Sequence, residues 1–301
     1  MPDRHYHRDE WFTAVECLDC GLGFVNPRPV EEAMDRYYPK DFFDDFHRDP
    51  AFQRERYRRE AAFLPDARLG SGNAPRLLDI GCANGAFPRV ARELGWDVEG
   101  VEVAASADAI GDFPVYRMPF TEIPVTGPRY DAITAWAVLE HVHDPMAYFR
   151  KVAEVLKPGG VFVFLVPNFD SVSSRYLLCE DIPRHLYFFS ARTAARYLAE
   201  VGLTLERSVF DDSIFVAPPE HWLRFFLRRL IGRRPLAWNE LPESRVDYCR
   251  RKNLTDSVRI QFIYALTHPF TMLDRLLTPA FAKWQMMMGS YGTALFVARK
   301  P

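Results

Sequence analysis

From Arg76 to Phe210, short apolar runs alternate with segments whose apolar positions recur every three to four residues. That is the pattern of parallel strands joined by crossover helices. Arg76–Ile80 reads as a first, buried strand. Phe87, Val90, Ala91 and Leu94 then share one helical face, with Pro88 tolerated in the first turn and Gly95 ending the helix. Asp97–Val101, Phe113–Tyr116 and Tyr130–Trp136 read as strands two, three and four. Asp144-Pro145 is an N-cap followed by proline at the first helical position, which opens a helix with Phe149, Val152, Ala153 and Leu156 inward. Lys157-Pro-Gly-Gly160 stops that helix and Val161–Val166 forms strand five. Ser190 caps another helix, Leu203–Phe210 is strand six, and Tyr291–Arg299 alternates like a last strand.

This rhythm divides the chain. Residues 1–30 lack helical periodicity and carry Cys17-Leu-Asp-Cys20. Residues 31–75 are polar, aromatic and helical, closing in the glycine-rich linker Leu69–Pro75. Residues 76–211 form the alternating unit, and 291–301 return to it. Between them, 212–290 leave the sheet for roughly 80 residues, too long for a plain connection. We read them as a helical insertion capping a substrate site. Within it, His221–Ile231 is apolar on one side with Arg224 and Arg228 on the other. A cap helix is the preferred reading, and peripheral contact with a membrane surface the alternative.

Composition narrows the class of function. With 48% hydrophobic and 26% charged residues, the chain can bury a sizeable core and is not disordered. A net charge of −2 supplies no basic field for nucleic acid. No apolar run approaches the ~18 residues of a membrane span, and the first ten residues lack a secretory apolar stretch. Five scattered cysteines make no disulfide framework. The expectation is a cytoplasmic protein without a transmembrane segment.

The chemistry concentrates in Leu77-Leu-Asp-Ile-Gly-Cys-Ala-Asn-Gly-Ala-Phe87, a strand, a glycine turn and a helix start. A dinucleotide fingerprint fails here, because Ala83 and Ala86 hold its second and third glycine positions. Asp79 at the strand tip is also the wrong charge for a pyrophosphate and the right one for a cationic ligand. S-adenosylmethionine, with an ammonium, a sulfonium and no phosphate, fits that requirement. Gly81 and Gly85 would let the backbone approach it closely.

These residues resemble motif I of the class I S-adenosylmethionine-dependent methyltransferases. Tyr130-Asp-Ala-Ile133 resembles the family's strand-four signature and Leu156-Lys-Pro-Gly-Gly160 its turn before strand five. Val138-Leu-Glu-His-Val-His-Asp-Pro145 resembles the ubiquinone-biosynthesis O-methyltransferase branch and its sugar and polyketide relatives. The resemblance implies an α/β, Rossmann-like, seven-stranded sheet, mostly parallel with an antiparallel last strand. It implies cofactor contacts from Asp79, Gly81, Cys82, Ala83, Asn84, Gly85, Glu102, Met118, Pro119, Phe120, Trp136 and Ala137. Glu102 matches the acid that grips the ribose hydroxyls, and Met118, Pro119 and Phe120 fall where the family stacks adenine, with plain core packing as their competing role. Ala83 departs from the family's middle glycine.

His185, in Asp181-Ile-Pro-Arg-His-Leu-Tyr-Phe-Phe-Ser190, follows strand five toward the ligand face and resembles the family's His-Leu-Tyr-x-Phe-Ser string. An unperturbed imidazole titrates near neutrality, as a general base should. Anchoring of the loop is the competing role, and His141 is the second candidate base. Glu140, His141, His143 and Asp144 include metal-ligand types, but Asp144 serves as an N-cap and too few ligands converge. The ubiquinone branch also carries a carboxylate where this chain has Ala137. Cys17 and Cys20 resemble half of a zinc ribbon whose other Cys-x-x-Cys is absent. His5 and His7 are the available substitutes, and a metal-free remnant is preferred over bound zinc.

The expectation is therefore methyl transfer from S-adenosylmethionine to a small molecule such as a sugar, polyketide, quinone-like or lipid-linked intermediate. A non-catalytic S-adenosylmethionine-binding regulator is the alternative. A nicotinamide-dependent oxidoreductase is opposed by the glycine spacing and by Asp79.

Overall fold

The structure is a computed structural model that describes residues 10–38, 50–67, 73–104, 110–177, 181–211, 230 and 269–301. In chain order its elements begin with strands β1 (Ala14–Glu16) and β2 (Gly23–Val25), a 3-10 turn (Glu31–Tyr37) and helix α1 (Pro50–Ala61). There follow β3 (Arg76–Ile80), α2 (Ala86–Glu93), β4 (Asp97–Val101), β5 (Val115–Tyr116) and β6 (Tyr130–Trp136). Next come α3 (Pro145–Val155), β7 (Leu156–Pro167), β8 (Tyr187–Phe188), α4 (Ala191–Glu200) and β9 (Thr204–Val209). Helix α5 (Pro269–Met287) and β10 (Thr293–Arg299) complete the chain.

Seven strands make one sheet in the order β5-β4-β3-β6-β7-β10-β9. Strands β3 to β7 run parallel, and β10 is antiparallel to both neighbours. This is the expected α/β class. A parallel sheet needs both faces covered, and the two cores follow the strand period of two. Along β7, Phe162, Phe164 and Val166 join one cluster with α3 and α4, while Val161, Val163 and Leu165 join the other with α1 and α2.

Caps fall where the sequence sets them. Asp144 accepts from the Ala147 amide at 3.0 Å, and Ser190 and Thr193 form a capping box at the start of α4. Strand boundaries differ where backbone groups are diverted. Strand three was expected from Phe113, but Pro114 has no N–H for the ladder, and pairing starts at Val115. The last strand was expected from Tyr291. The Asn168 side-chain amide donates to the Tyr291 carbonyl at 2.8 Å and to that of Gly289 at 3.0 Å, and the ladder begins at Thr293.

A second sheet, β1-β2-β8, was not anticipated. It binds the N-terminal hairpin to the loop carrying His185, so residues 10–38 pack against the alternating unit. Glu16 pairs with Arg175 at 2.7 Å. Of the expected insertion, only residues 230 and 269–290 are described; the amphipathic segment His221–Ile231, apart from Leu230, lies outside the described residues. Among the described residues, no helix is long and apolar enough to cross a membrane.

Phe149 of α3 is fully buried and meets the rings of Phe162, Phe164, Phe189 and Tyr197. Phe149→Ala should therefore lower unfolding free energy by about 3–5 kcal/mol, as truncation of a large core ring does, read from urea denaturation midpoints at constant slope.

Candidate active site

Strand β3 ends buried at Ile80, and the chain must turn sharply to enter α2. Gly81 takes φ +73°, and a Cβ there would stand 2.6 Å from the Val138 side chain, so glycine is required twice over. Gly85 repeats the argument at φ +78°, with Phe113 2.8 Å from a notional Cβ. The Gly81 and Cys82 amides donate to the Val101 carbonyl at 2.8 and 3.1 Å, locking the turn to the end of β4. Ala83, in place of the family's glycine, holds a left-handed φ of +48°. Its amide donates to the Glu102 carboxylate at 2.9 Å, and so does that of Ala104. Glu102 therefore fixes the very residue whose conformation is costly.

Asp79 is buried at the tip of β3 and accepts from the Thr134 hydroxyl at 2.6 Å. Burial holds its carboxyl well above the usual carboxylate range, and the Glu60 and Glu102 carboxyls reinforce the shift. Glu60, on α1, did not emerge from the sequence. It is 0% exposed; Oε1 accepts from Arg56 at 2.9 Å, while Oε2 is buried with no hydrogen-bond partner. Burial raises it to about 7 despite Arg56. Ring contacts run from Tyr57 through Phe87 to Trp136, and the Trp136 indole nitrogen is likewise buried without a partner.

The remaining expected contacts lie in different settings. Asn84 accepts from the Ala86 amide at 3.2 Å. Cys82 is buried, with its sulfur against Gly100. Ala137 leaves β6 with φ +56°. Met118 and Pro119 are half-buried. The ring of Phe120 is turned into the core against Tyr148, 1% exposed.

Just beyond β6, His141 and His185 pack edge to face with centroids 4.8 Å apart. His141 Nδ1 lies 3.1 Å from the Arg184 carbonyl and 3.0 Å from the Tyr38 hydroxyl. A carbonyl only accepts, so we assign the proton to Nδ1 and the lone pair to Nε2. Burial, then the neighbouring His185, push the His141 pKa down to about 3. The loop itself is held by Arg184, whose fully buried guanidinium donates to Asp181 at 2.9 Å and to the Tyr37 carbonyl at 2.8 Å. Neither Tyr38 nor Arg184 was singled out from the sequence.

Of the four metal-ligand types between Glu140 and Asp144, two turn away from the others. His143 turns to the Pro29 carbonyl, and Asp144 caps α3 as anticipated. Yet Glu140, His141 and His185 bring ligand-type atoms within 4.8 Å of one another, the only such group of three among the described residues. The third member comes from a distant loop, which sequence spacing cannot show. Cys17 and Cys20 sit on the β1–β2 turn. Backbone N–H groups of Cys20 and Asp19, then the Cys20 thiol, hold the Cys17 thiol below its usual range. No third ligand joins them among the described residues, so the described donors do not by themselves make a four-ligand zinc site. His5 and His7 lie outside the described residues.

A mostly parallel seven-stranded sheet with an antiparallel penultimate strand, an acid and a glycine turn after β3 and a second acid after β4 define the class I methyltransferase architecture. A family model for the methyltransferase domain matches residues 50–208, and the chain belongs to that family. It is an S-adenosylmethionine-dependent methyltransferase. It is 27% identical over 215 residues to the ubiquinone biosynthesis O-methyltransferase of Alkalilimnicola ehrlichii, covering 66% of this chain and 76% of that protein. The protein of the same name from Cereibacter sphaeroides is 38% identical over 97 residues, 29% of this chain and 39% of that one. The fold is shared with the methyltransferase of Haloferax volcanii solved with the Trm112 methyltransferase activator, at a TM-score of 0.52 and 16% identity over 87% of this chain and 97% of that one. It is also shared with a SAM-dependent methyltransferase of Archaeoglobus fulgidus, at 0.50 and 17% over 86% and 98%.

Glu60 makes stability depend on pH. Its carboxyl binds a proton more tightly folded than unfolded, so its contribution is fully present below an ordinary value near 4.5 and is lost as pH rises through about 7. Asp79 acts in the same direction. Urea unfolding of the ligand-free protein should show a loss on the order of 3 kcal/mol from Glu60 between acid and mildly alkaline pH. Glu60→Gln should remove that part of the slope.

Proposed function

We propose that the chain moves the methyl group of S-adenosylmethionine to a nucleophile, most simply a hydroxyl, on a small-molecule acceptor. The observation that carries this reading is the acid-lined glycine turn, with Asp79 buried beside positive-φ Gly81 and Gly85 and Glu102 at the end of the neighbouring strand. The donor set suits the ligand: buried carboxyls match an ammonium and a sulfonium, a carboxylate with spare lone pairs matches ribose hydroxyls, and the glycines leave room for close approach. When bound, S-adenosylmethionine supplies an electrophilic methyl group on sulfur. The chain's own task is to position the acceptor in line, an entropic gain, and to take its proton.

For that proton we assign His185 as base. His141 ranks second, because a group held near pKa 3 is a weak proton acceptor at neutral pH. The relatives named for ubiquinone biosynthesis and O-methylation support a hydroxyl acceptor. Residues 212–290 are assigned as its cap. β9 ends and β10 begins at the edge where the parallel strands present their carboxyl ends, the ligand side of a doubly wound sheet, so the insertion leaves and rejoins the fold beside the site.

Calorimetry with S-adenosylmethionine and S-adenosylhomocysteine tests the cofactor reading. Asp79→Ala and Glu102→Ala should each weaken binding about tenfold or more, the cost of removing one charged hydrogen-bond partner. Unchanged affinity in both variants refutes the assignment. His185→Ala should leave cofactor affinity intact and lower turnover by ~10²–10⁴. His185→Gln keeps a hydrogen bond without accepting the proton, so recovery of rate in that variant would make His185 an orienting group. Methyl-labelled S-adenosylmethionine incubated with host small-molecule extract identifies the acceptor, and tight binding without any labelled product favours the non-catalytic alternative.

A further inference from the structure

We propose that Glu60 is a second acid of the cofactor site and, with Asp79, receives the ammonium of the cofactor's amino-acid end. The inference rests on the S-adenosylmethionine reading above and adds a residue from a different element, helix α1.

Three observations meet at Glu60. Its side chain is wholly buried, and Oε2 has no hydrogen-bond partner although Oε1 is served by Arg56. A half-satisfied buried carboxyl costs free energy that packing alone does not recover. Its charge is felt by Asp79, and among the described residues no lysine, arginine or histidine forms an ion pair with Asp79. Both carboxyls also act on Tyr57, whose ring leads through Phe87 to Trp136 at the carboxyl end of β6. Tyr57 lies one helical turn before Glu60 and packs on Phe87, in the first turn of α2 directly after the glycine turn. The helix carrying Glu60 thus meets that turn, where repulsion between two acids favours a cation between them. An ammonium brings three donors. Glu60 Oε2 and the Asp79 oxygen not taken by Thr134 are acceptors of the right charge for two of them.

The charged and titratable groups bearing on this pair are Arg56 and Tyr57 from α1, Cys82 of the glycine turn and Glu102 from the end of β4. Arg56 offers the competing account, in which Glu60 serves only to hold its own helix.

The test compares two ligands by calorimetry on full-length wild type and Glu60→Gln, with melting curves confirming that the variant is folded. One ligand is S-adenosylhomocysteine. The other is its deaminated analogue, which keeps adenosine, thioether and carboxylate but lacks the amino group. Glu60→Gln should weaken S-adenosylhomocysteine at least tenfold and change the analogue less than twofold. Equal weakening of both ligands overturns the proposal in favour of the helix-holding role, and so does unchanged binding of S-adenosylhomocysteine. Should Glu60→Gln fail to fold, Glu60→Asp, which keeps the charge but shortens its reach, is held to the same selective loss. Wild type binding neither ligand defeats the underlying cofactor reading instead, a result separable from any failure of Glu60.

Discussion

The site hangs on the backbone turn after β3. A parallel strand cannot be followed by a hairpin; the chain must leave the sheet and start a helix within a few residues. Here it does so through left-handed conformations at Gly81, Ala83 and Gly85, pinned by two amides on the Val101 carbonyl. That geometry aligns the ends of β3, β4 and β6, because Val138 closes against Gly81 and Phe113 against Gly85. A side chain at either glycine would displace a neighbouring element as well as strain the turn. Ala83 is the one position of this turn where a methyl group is carried in the left-handed conformation, and Glu102 secures it.

Around this turn the protein gathers three acids, of which, among the described residues, Glu60 alone forms an ion pair, with Arg56. Asp79, Glu60 and Glu102 oppose one another, and burial drives the first two toward their protonated forms. One buried acid on the neighbouring strand is held quite differently. Glu99 is buried but takes hydrogen bonds from Arg129, Tyr130 and Tyr116, and its carboxyl is held below the usual range. Glu99 and Asp79, on adjacent strands of one sheet, thus differ in how far hydrogen-bond donors offset the cost of burial.

Much of this was legible in the sequence because it is local. The apolar runs of β3, β6 and β7, the Asp144 and Ser190 caps, and the glycine turn each follow from contiguous residues. Glu60 was hidden because α1 is polar nearly throughout, and a carboxylate following two arginines reads as a solvated face. The meeting of Glu140 and His141 with His185 was hidden because it joins two loops. The β1-β2-β8 sheet was hidden because its third strand is two residues long. For Phe120 the sequence left adenine stacking and core packing open, and the fold sets its ring against Tyr148.

The N-terminal hairpin adds a matter of timing. Glu16 and Arg175 lie 159 positions apart, and the Arg184 guanidinium reaches the Tyr37 carbonyl across 147. Contacts this distant in sequence close late, after more local pairings have reduced the entropy of the intervening chain. The turn after β3, built from neighbouring elements, matures earlier than the loop bearing His185. The hairpin and the histidine loop are therefore held by closures of the longest kind, whose entropic cost the rest of the fold must offset.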